Sequence, residues 1–498
     1  MHRNIDHDEV GSPMQAAGVS TPVEAGFVGC EVSTSSGRVE VRNPARIDEV
    51  VGTYPSMVPG MVDGVVRRAA DAQPAWARLH PQERFDRIVA AVQGVEVDGL
   101  AELLTREHGK ILSESQRELQ YMSFPVNLLG AHVPWLADGE DLGDSGRHHS
   151  RVYRDPYGVV GVVAPWNFPI STAMITVAPA LLAGNAVVMH VPATAALTAL
   201  EIYGQIAAAL PPGLLALFTS PSTDVAQALV EHPLVRHVHF TGSTRVGSLV
   251  AHEAADSLAT TTLELGGNDA AIVLDDALED PSIYARLVRS AFASEGQACV
   301  ALKRLYVPRR RVDEVFEGLG AVLESTVVGD GLDPATTVGP MHTAAGLANV
   351  QRLVEAARAA GGRVGEYGSF AVDPAQGYFM RPVLASGIGA DNPLVREEQF
   401  GLALPIIAYD GVDDAIAQAN DCVYGLGSSV WSPDVERAMA IARRLEAGMT
   451  WINAHAGAGV DGRVPWGGVK HSGVGRGGAN RAGLEIFTEP HAVVVPTA

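Results

Sequence analysis

Hydrophobic and polar positions follow two different patterns along this chain of 498 residues. Over residues 61–118, apolar side chains recur at intervals of three and four, as at Val62, Val65 and Val66, which predicts amphipathic helices. From Gly158 onwards, short continuous apolar runs alternate with helical segments rich in alanine and leucine. The runs are Val159–Ala164, Ala186–Met189, Leu214–Thr219 and Val235–Thr241. Such runs are typical of parallel strands that are covered by helices on both faces.

A second set of such units begins near Leu263 and includes Ala270–Leu274, Leu305–Val307 and Leu404–Tyr409. The pattern therefore predicts two α/β domains in series. Two further segments stand apart from them. Residues 136–153 are charged and are expected to form a loop, and Glu485–Val495 is expected to form a terminal strand. Both are candidates for an arm between subunits.

Composition narrows the class of protein. Apolar residues make up 47% and charged residues 19%, which is an ordinary globular balance. A net charge of −21 argues against nucleic acid or an anionic membrane as a partner. Three cysteines, with no CxxC pair and no His/Cys cluster at ligand spacing, exclude a disulfide framework and a structural zinc site, and they favour a reducing, cytoplasmic location. Residues 1–37 lack the apolar core of a signal peptide and are interpreted as a flexible tail.

Two residues carry groups suited to thioester chemistry. Cys299 lies among small residues and glycine, and Glu264 lies on an apolar run that ends in Gly266 and Gly267. A thiol can act as a nucleophile and a carboxylate as a base. A single cysteine is, however, more often a small buried hydrophobic residue.

Two turns offer sites for a ligand. Val238–Gly247 predicts a strand, a turn at Gly242 and a helix whose first amides suit a phosphate, although many strand–helix turns look the same. Pro165–Pro169 directly follows a buried strand, where Asn167 is either an amide donor to an oxyanion or part of a plain proline-rich turn.

Six motifs together resemble those of the NAD(P)-dependent aldehyde dehydrogenase superfamily, from Asn43 to Val495. In chain order they are PWNFP, FTGSTxVG, LELGG, GQxC, EExFG and GGVKxSGxGR. The resemblance implies two Rossmann-like doubly wound α/β domains, one for the cofactor and one for catalysis, with a small β oligomerisation arm. The implied cofactor domain is 38–132 with 156–262, the arm is 133–155 with 480–498, and the catalytic domain is 263–479. A homodimer or homotetramer is expected.

The same resemblance assigns roles to residues. It implies that Cys299 attacks an aldehyde, that Asn167 stabilises the oxyanion, and that Glu264 activates the water which hydrolyses the thioester. The residues implied to bind NAD or NADP are Ala164, Pro165, Trp166, His190, Gly242, Ser243, Gly266, Glu398 and Phe400. No metal is expected.

The chain departs from the family pattern around the adenosine. Lys-Pro-Ser/Ala-Glu is usual where this chain has His190 to Ala193. A neutral imidazole brings no charge, and Ala193 cannot accept a hydrogen bond. These changes leave NAD against NADP open, with NAD favoured and a lowered affinity or relaxed preference expected.

Three functions fit these residues: oxidation of an aldehyde to the acid, transfer of the thioester to coenzyme A, and a catalytically weak relative that serves as a binding protein. Glu264 argues against coenzyme A, because acylating relatives characteristically lack this base. The residues expected to line the substrate tunnel are small or aliphatic and predict an apolar aldehyde; they are Met174, Ile175, Ala298, Val300 and residues 456–460.

Overall fold

The computed structural model describes residues 23–27, 37–457 and 460–497. Most of the predicted tail lies outside these residues. Within the tail, however, β1 pairs in parallel with β3 (Val23 opposite Gly52), and Ala25 is buried. The chain therefore joins the fold before the predicted boundary at residue 38. The first strands are β1 (Val23–Glu24), β2 (Arg38–Asn43) and β3 (Arg46–Pro55).

The helical pattern predicted over residues 61–118 is confirmed. It forms α1 to α4, and two shorter helices follow. The bounds are α1 (Val62–Ala77), α2 (Pro81–Gln93), α3 (Leu100–His108), α4 (Leu112–Tyr121), α5 (Ser123–Leu129) and α6 (Val133–Asp138). The apolar stripe of α1 faces the core, where Val62, Val65 and Val66 are each at most 1% exposed.

The segment expected to be a loop at 136–153 is instead the end of α6 and a β-hairpin, β4 (Glu140–Asp144) and β5 (His148–Pro156). The terminal strand is confirmed as β21 (Thr488–Pro496), and it pairs antiparallel with β5 along its whole length. The hairpin escaped prediction because most of its residues are exposed, so no apolar face marks it in the sequence.

The first large sheet has six strands in the order β20-β10-β9-β6-β7-β8, and all except β20 are parallel. Its strands are β6 (Val159–Val163), β7 (Ala186–His190), β8 (Leu215–Phe218), β9 (Val235–Thr241), β10 (Thr260–Glu264) and β20 (Gly473–Val474). The connecting helices are α7 (Ser171–Leu182), α8 (Ala196–Ala208), α9 (Thr223–Val230) and α10 (Thr244–Asp256). The predicted buried runs are thus confirmed as strands.

The second large sheet has seven strands in the order β14-β16-β17-β12-β11-β18-β19, with β14 antiparallel. Its strands are β11 (Asp269–Val273), β12 (Leu302–Pro308), β14 (Arg363–Glu366), β16 (Val383–Ser386), β17 (Ala403–Tyr409), β18 (Gly427–Trp431) and β19 (Met449–Ile452). A separate pair joins β13 (Val327–Val328) and β15 (Ser369–Phe370). The helices are α11 (Ser282–Phe292), α12 (Val312–Leu323), α13 (Ala344–Ala359), α14 (Pro393–Arg396), α15 (Val412–Asn420) and α16 (Val435–Ala442). The last helix, α17 (Arg481–Glu485), places Leu484 in the core of the first sheet.

Two mainly parallel sheets, each with its own helices and core, confirm the two-domain α/β fold class, and the antiparallel sheet β4-β5-β21 stands where the arm is predicted. In the part of the chain that the structure describes, no helix combines the length and apolar character needed to cross a membrane. The boundary placed between residues 262 and 263 stays a prediction, and the strand β10 that contains it belongs to the first sheet.

Candidate active site

The carboxyl edge of the first sheet brings several predicted residues together. Ala164–Asn167 follows β6, His190 ends β7, and Glu264 ends β10 beside Thr241 of β9. The chain reverses its strand order between β6 and β9, and ligands bind parallel sheets at such a switch point. The edge therefore fits a dinucleotide.

Gly242 and Ser243 lie at the same edge. The Gly242 amide donates to the carbonyl of Glu264 at 3.0 Å, and Ser243 caps α10 by accepting from the Val246 amide at 3.4 Å. The first turn of α10 thus presents the positive end of a helix dipole, which suits a phosphate group.

Cys299 lies in a turn between α11 and β12, after a segment of unusual backbone. Ser294, Glu295 and Gly296 have φ values of 49°, 55° and 68°. Residues with side chains seldom adopt this left-handed conformation, so surrounding contacts must hold it. The Ser294 amide donates to Glu114 at 2.9 Å, and Glu295 accepts from the amide of Gly339 at 3.0 Å.

The Cys299 thiol belongs to a partly buried residue and is protonated at rest. The pKa of Cys299 is raised to about 12, mainly by burial and in smaller part by the nearby Glu264, Asp269 and Glu398 carboxylates. The Lys303 ammonium opposes them, and it also donates to the carbonyls of Cys299 at 2.6 Å and Ala298 at 2.9 Å. Ionisation of the thiol therefore needs a neighbouring base.

Asn167 reaches the nucleophile turn from the first sheet. Its Nδ2 donates to the carbonyl of Gln297 at 3.0 Å, two positions before Cys299. Its own carbonyl accepts from the Nζ of Lys110 at 2.9 Å. The structure thus brings the predicted amide donor and the predicted nucleophile together.

Glu264 is a candidate general base whose neutral form is favoured by its surroundings. Burial raises its pKa to about 8, against the opposing effects of the Arg476 charge and a hydrogen bond to the Trp466 side chain. Its Oε1 lacks a hydrogen-bond partner among the described residues. A Cβ on Gly467 would lie 3.0 Å from that oxygen, so the glycine-rich loop approaches the carboxylate closely. One oxygen of the carboxyl group is therefore buried without a hydrogen-bond partner among the described residues.

Glu398 and Phe400 enter the site from the loop before β17. Glu398 accepts from the Gly267 amide at 3.0 Å and pairs with Lys303 at 3.2 Å. A Cβ on Gly266 would lie 2.2 Å from Glu398 Oε2, which explains the glycine there. Phe400 has a φ of 47° and meets Trp166 edge-on at 5.6 Å.

Burial has the opposite effect on His190 and Glu398, because one is charged when protonated and the other when deprotonated. It lowers the pKa of His190 to about 4, so the imidazole is neutral at physiological pH. It raises the pKa of Glu398, against the attraction of Lys303. Both ring nitrogens of His190 are buried, and a hydrogen bond with the Ser220 backbone partly offsets the lowering of the pKa.

Several residues of the site escaped the sequence analysis. Lys303 touches the nucleophile turn, Gln297 accepts from the His342 amide at 3.0 Å, and the His342 ring stacks on Trp166 at 4.4 Å. Lys303 follows the GQxC motif closely and could have been suspected from it. His342 is distant in sequence, and no spacing signal indicates it.

Other expectations concern cysteines, metals and the substrate tunnel. Cys422 is partly buried, and Cys30 lies outside the described residues. No group of metal-binding side chains occurs within residues 23–27, 37–457 and 460–497.

Of the residues predicted to line the substrate tunnel, Met174 is buried, while Ile175, Ala298 and Val300 are partly exposed. Residues 458 and 459 of the same prediction lie outside the described residues.

A model of the aldehyde dehydrogenase family matches residues 32–493 of the chain. This chain belongs to the aldehyde dehydrogenase family. It is 37% identical to geranial dehydrogenase of Castellaniella defragrans, over 89% of this chain and 92% of that protein. It is 32% identical to the NADP-dependent succinate-semialdehyde dehydrogenase of Escherichia coli, over 91% of this chain and 93% of that protein.

A solved structure agrees with these sequence comparisons. The aldehyde dehydrogenase of Mycobacterium tuberculosis in complex with NAD+ superposes with a TM-score of 0.90 at 33% identity, covering 96% of this chain and 99% of the other. The protein is therefore an aldehyde dehydrogenase with an NAD or NADP cofactor. A bound cofactor would supply a hydride acceptor, and Gly242, Ser243, His190 and Glu398 remain the residues predicted to hold that cofactor.

Proposed function

We propose that this aldehyde dehydrogenase oxidises an aldehyde to the carboxylic acid through covalent intermediates on Cys299. The single observation that carries the proposal is the meeting of Asn167 with the Cys299 turn, through the 3.0 Å bond to Gln297, beside the carboxylate of Glu264. A nucleophile, an amide donor and a base are what acyl transfer to water requires.

The reaction begins when the Cys299 thiol loses its proton to a base other than Glu264, which stays available for the later water, and its sulfur bonds to the aldehyde carbon. The carbonyl oxygen becomes an oxyanion, and the Asn167 amide and the Cys299 main-chain amide stabilise it. A hydride then leaves that carbon with its electron pair, for which a bound nicotinamide would be the acceptor, and a thioester remains on Cys299.

Glu264 completes the turnover. Its carboxylate takes a proton from water, the hydroxide oxygen bonds to the acyl carbon, and the carbon–sulfur bond breaks. The acid departs and the sulfur recovers a proton. General-base assistance is typically worth about 10²–10⁴ in rate. The unpartnered Oε1 of Glu264 supports this role, because it can accept the hydrogen bond of a water.

Two substitutions test the two halves of the reaction. We expect Cys299→Ala to abolish reduction of the cofactor, and Glu264→Gln to give a burst of reduced cofactor and then stall, because the thioester forms but is not hydrolysed. Stopped-flow absorbance of NADH measures both. Cys422→Ala is the matched control and should retain the full rate. A Glu264→Gln variant that turns over at the normal rate would contradict the assigned role.

Coenzyme A transfer is the second candidate, and it predicts a different product. If the thioester passed to a thiol, adding coenzyme A would speed turnover and yield acyl-coenzyme A in place of the acid. We expect mass spectrometry to find the free acid with and without coenzyme A, since Glu264 is present to activate water.

We infer that the substrate is an apolar aldehyde and that NAD is the favoured cofactor. Met174, Ile175, Ala298 and Val300 are aliphatic or small, and geranial, the substrate named for one relative, is apolar. We expect a higher kcat/KM for geranial and octanal than for succinate semialdehyde.

Titrating NAD and NADP by fluorescence quenching measures the cofactor preference. Tight, fully selective NAD binding would contradict a remodelled adenosine site at His190.

A further inference from the structure

Helix α4 carries two glutamates one turn apart, and each contacts a different side of the active site. Glu114 and Glu118 lie at positions i and i+4, so they occupy the same face of the helix. Glu118 contacts the segment that contains Asn167, and Glu114 contacts the segment that leads to Cys299. One rigid element therefore contacts both the segment that carries Asn167 and the segment that leads to Cys299.

The Glu118 side holds the main chain around Asn167. Glu118 Oε1 accepts from the amides of Ile170 at 2.9 Å and Ser171 at 3.2 Å. Its Oε2 accepts from the Nζ of Lys110 at 2.6 Å, and the same Nζ donates to the carbonyl of Asn167 at 2.9 Å. Lys110 has no exposed surface, so this ion pair is fully inside the protein. The backbone is fixed at Asn167 and again just after it.

The Glu114 side holds the strained backbone before Cys299. Glu114 Oε1 accepts from the Ser294 amide at 2.9 Å, and Oε2 from the Ser294 hydroxyl at 3.4 Å. Ser294 and Glu295 are both left-handed, a conformation that is unfavourable for residues with side chains and persists only where surrounding contacts impose it. Glu114 supplies such a contact at the first of these residues.

We propose that α4, with Lys110, is a positioning element that sets the Asn167 amide against Cys299. Glu118 and Lys110 act on Asn167, and Glu114 acts on the nucleophile turn. This rests on the proposed function, in which the Asn167 amide stabilises an oxyanion on the carbon bonded to Cys299. Such a donor must lie within about 2.7–3.1 Å of the oxygen, and a displacement of about 1 Å can cost roughly a hundredfold in rate.

The buried pair of Lys110 and Glu118 is better suited to positioning Asn167 than to raising the stability of the fold. Replacing a buried pair by apolar residues is often neutral for folding, whereas removing one partner leaves a buried charge. The informative variant is therefore Lys110→Met/Glu118→Leu, which removes both charges together. Arg84→Met is the matched control. Arg84 is also a buried cation that binds main-chain carbonyls, but it donates to Leu182 at the other end of α7.

A double-mutant cycle with Asn167→Ala tests the proposal. The readout is the burst rate of NADH with whichever of geranial, octanal and phenylacetaldehyde reacts fastest. We expect Asn167→Ala to lower that rate about a hundredfold. Removing the ion pair should lower it at least about tenfold in the parent enzyme but less than about threefold in the Asn167→Ala background, because its effect passes through Asn167. Arg84→Met should act equally in both backgrounds.

Equal losses from the ion-pair variant in both backgrounds would overturn the proposal while leaving the proposed function intact. A full burst rate for Asn167→Ala would instead contradict the oxyanion role of Asn167, and the positioning proposal with it. At the contact with Ser294, Glu114→Gln keeps an oxygen that accepts a hydrogen bond and should retain most of the burst rate, whereas Glu114→Ala should lose it. Equal burst rates for Glu114→Gln and Glu114→Ala would exclude Glu114 from the positioning element.

Discussion

At the scale of single residues, burial dictates the ionisation of this active site. The Cys299 thiol and the Glu264 carboxyl are both taken from water, so the neutral form of each is favoured and both pKa values rise. Lys303 and Arg476 oppose the shifts without reversing them. Each group is therefore held neutral until the reaction requires its charged form.

The raised pKa of Glu264 predicts how turnover depends on pH. With a pKa of about 8, the carboxyl is mostly protonated below pH 8 and becomes a competent base above it. We expect the steady-state rate after the burst to rise between pH 6.5 and 9 with a midpoint near 8. In Glu264→Gln this rise should disappear. Steady-state NADH production across that range is the measurement, and an unchanged midpoint in the variant would assign the titration to another group.

At the scale of elements, Asn185 ties α7, β6 and the segment before β21 together. Its Nδ2 donates to the carbonyls of Ala180 at 3.0 Å and Phe487 at 2.9 Å, and its Oδ1 accepts from the Gly158 amide at 3.0 Å. The side chain has no exposed surface. It connects the first large sheet to β21, the strand of the predicted arm.

We expect Asn185→Ala to destabilise the protein by about 2–4 kcal/mol, because three buried main-chain groups lose their partner. Amide exchange should also quicken along β21, which follows Phe487. Urea unfolding and hydrogen–deuterium exchange measure the two effects. Asn349→Ala removes an amide oxygen that accepts an exposed hydrogen bond from Arg352 at 2.9 Å, and it should leave both quantities nearly unchanged.

The elements differ in how well the sequence predicts them. Buried parallel strands such as β6 and β9 are continuous apolar runs and were predicted almost to the residue. The hairpin β4–β5 was missed because neither face is buried, so nothing distinguishes it from a loop. At the site, motifs indicate Cys299 and Glu264, but contacts such as that of Glu114 with Ser294 join residues 180 positions apart, and no local pattern reveals them.

At the scale of the whole molecule, the sheet β4-β5-β21 leaves apolar side chains in solvent. Val493, Val494 and Val495 on β21 are 39%, 54% and 55% exposed, and Leu142 on β4 is 61% exposed. Contiguous exposed apolar residues on an edge strand are typical of a protein–protein contact. They support the homodimer or homotetramer proposed for this chain.

We expect Val494→Asp to shift the protein to a smaller assembly, because it places a charge in the proposed contact. Sedimentation velocity measures the mass. Leu258→Asp is the matched control: Leu258 is 88% exposed, lies between α10 and β10, and is far from the arm in sequence. Identical masses for the parent and Val494→Asp would rule out this part of β21 as the contact.

The left-handed backbone at Ser294 and Glu295 has a consequence for how the enzyme becomes active during folding. The contacts that hold it come partly from Glu114, which belongs to the N-terminal helices, while Cys299 precedes a strand of the second sheet. A newly made chain whose second sheet has formed by itself would lack this support. We therefore expect the turn before Cys299 to reach its active conformation only after the N-terminal helices have packed against the second sheet. The enzyme would then gain activity only when these two parts of the chain are correctly assembled.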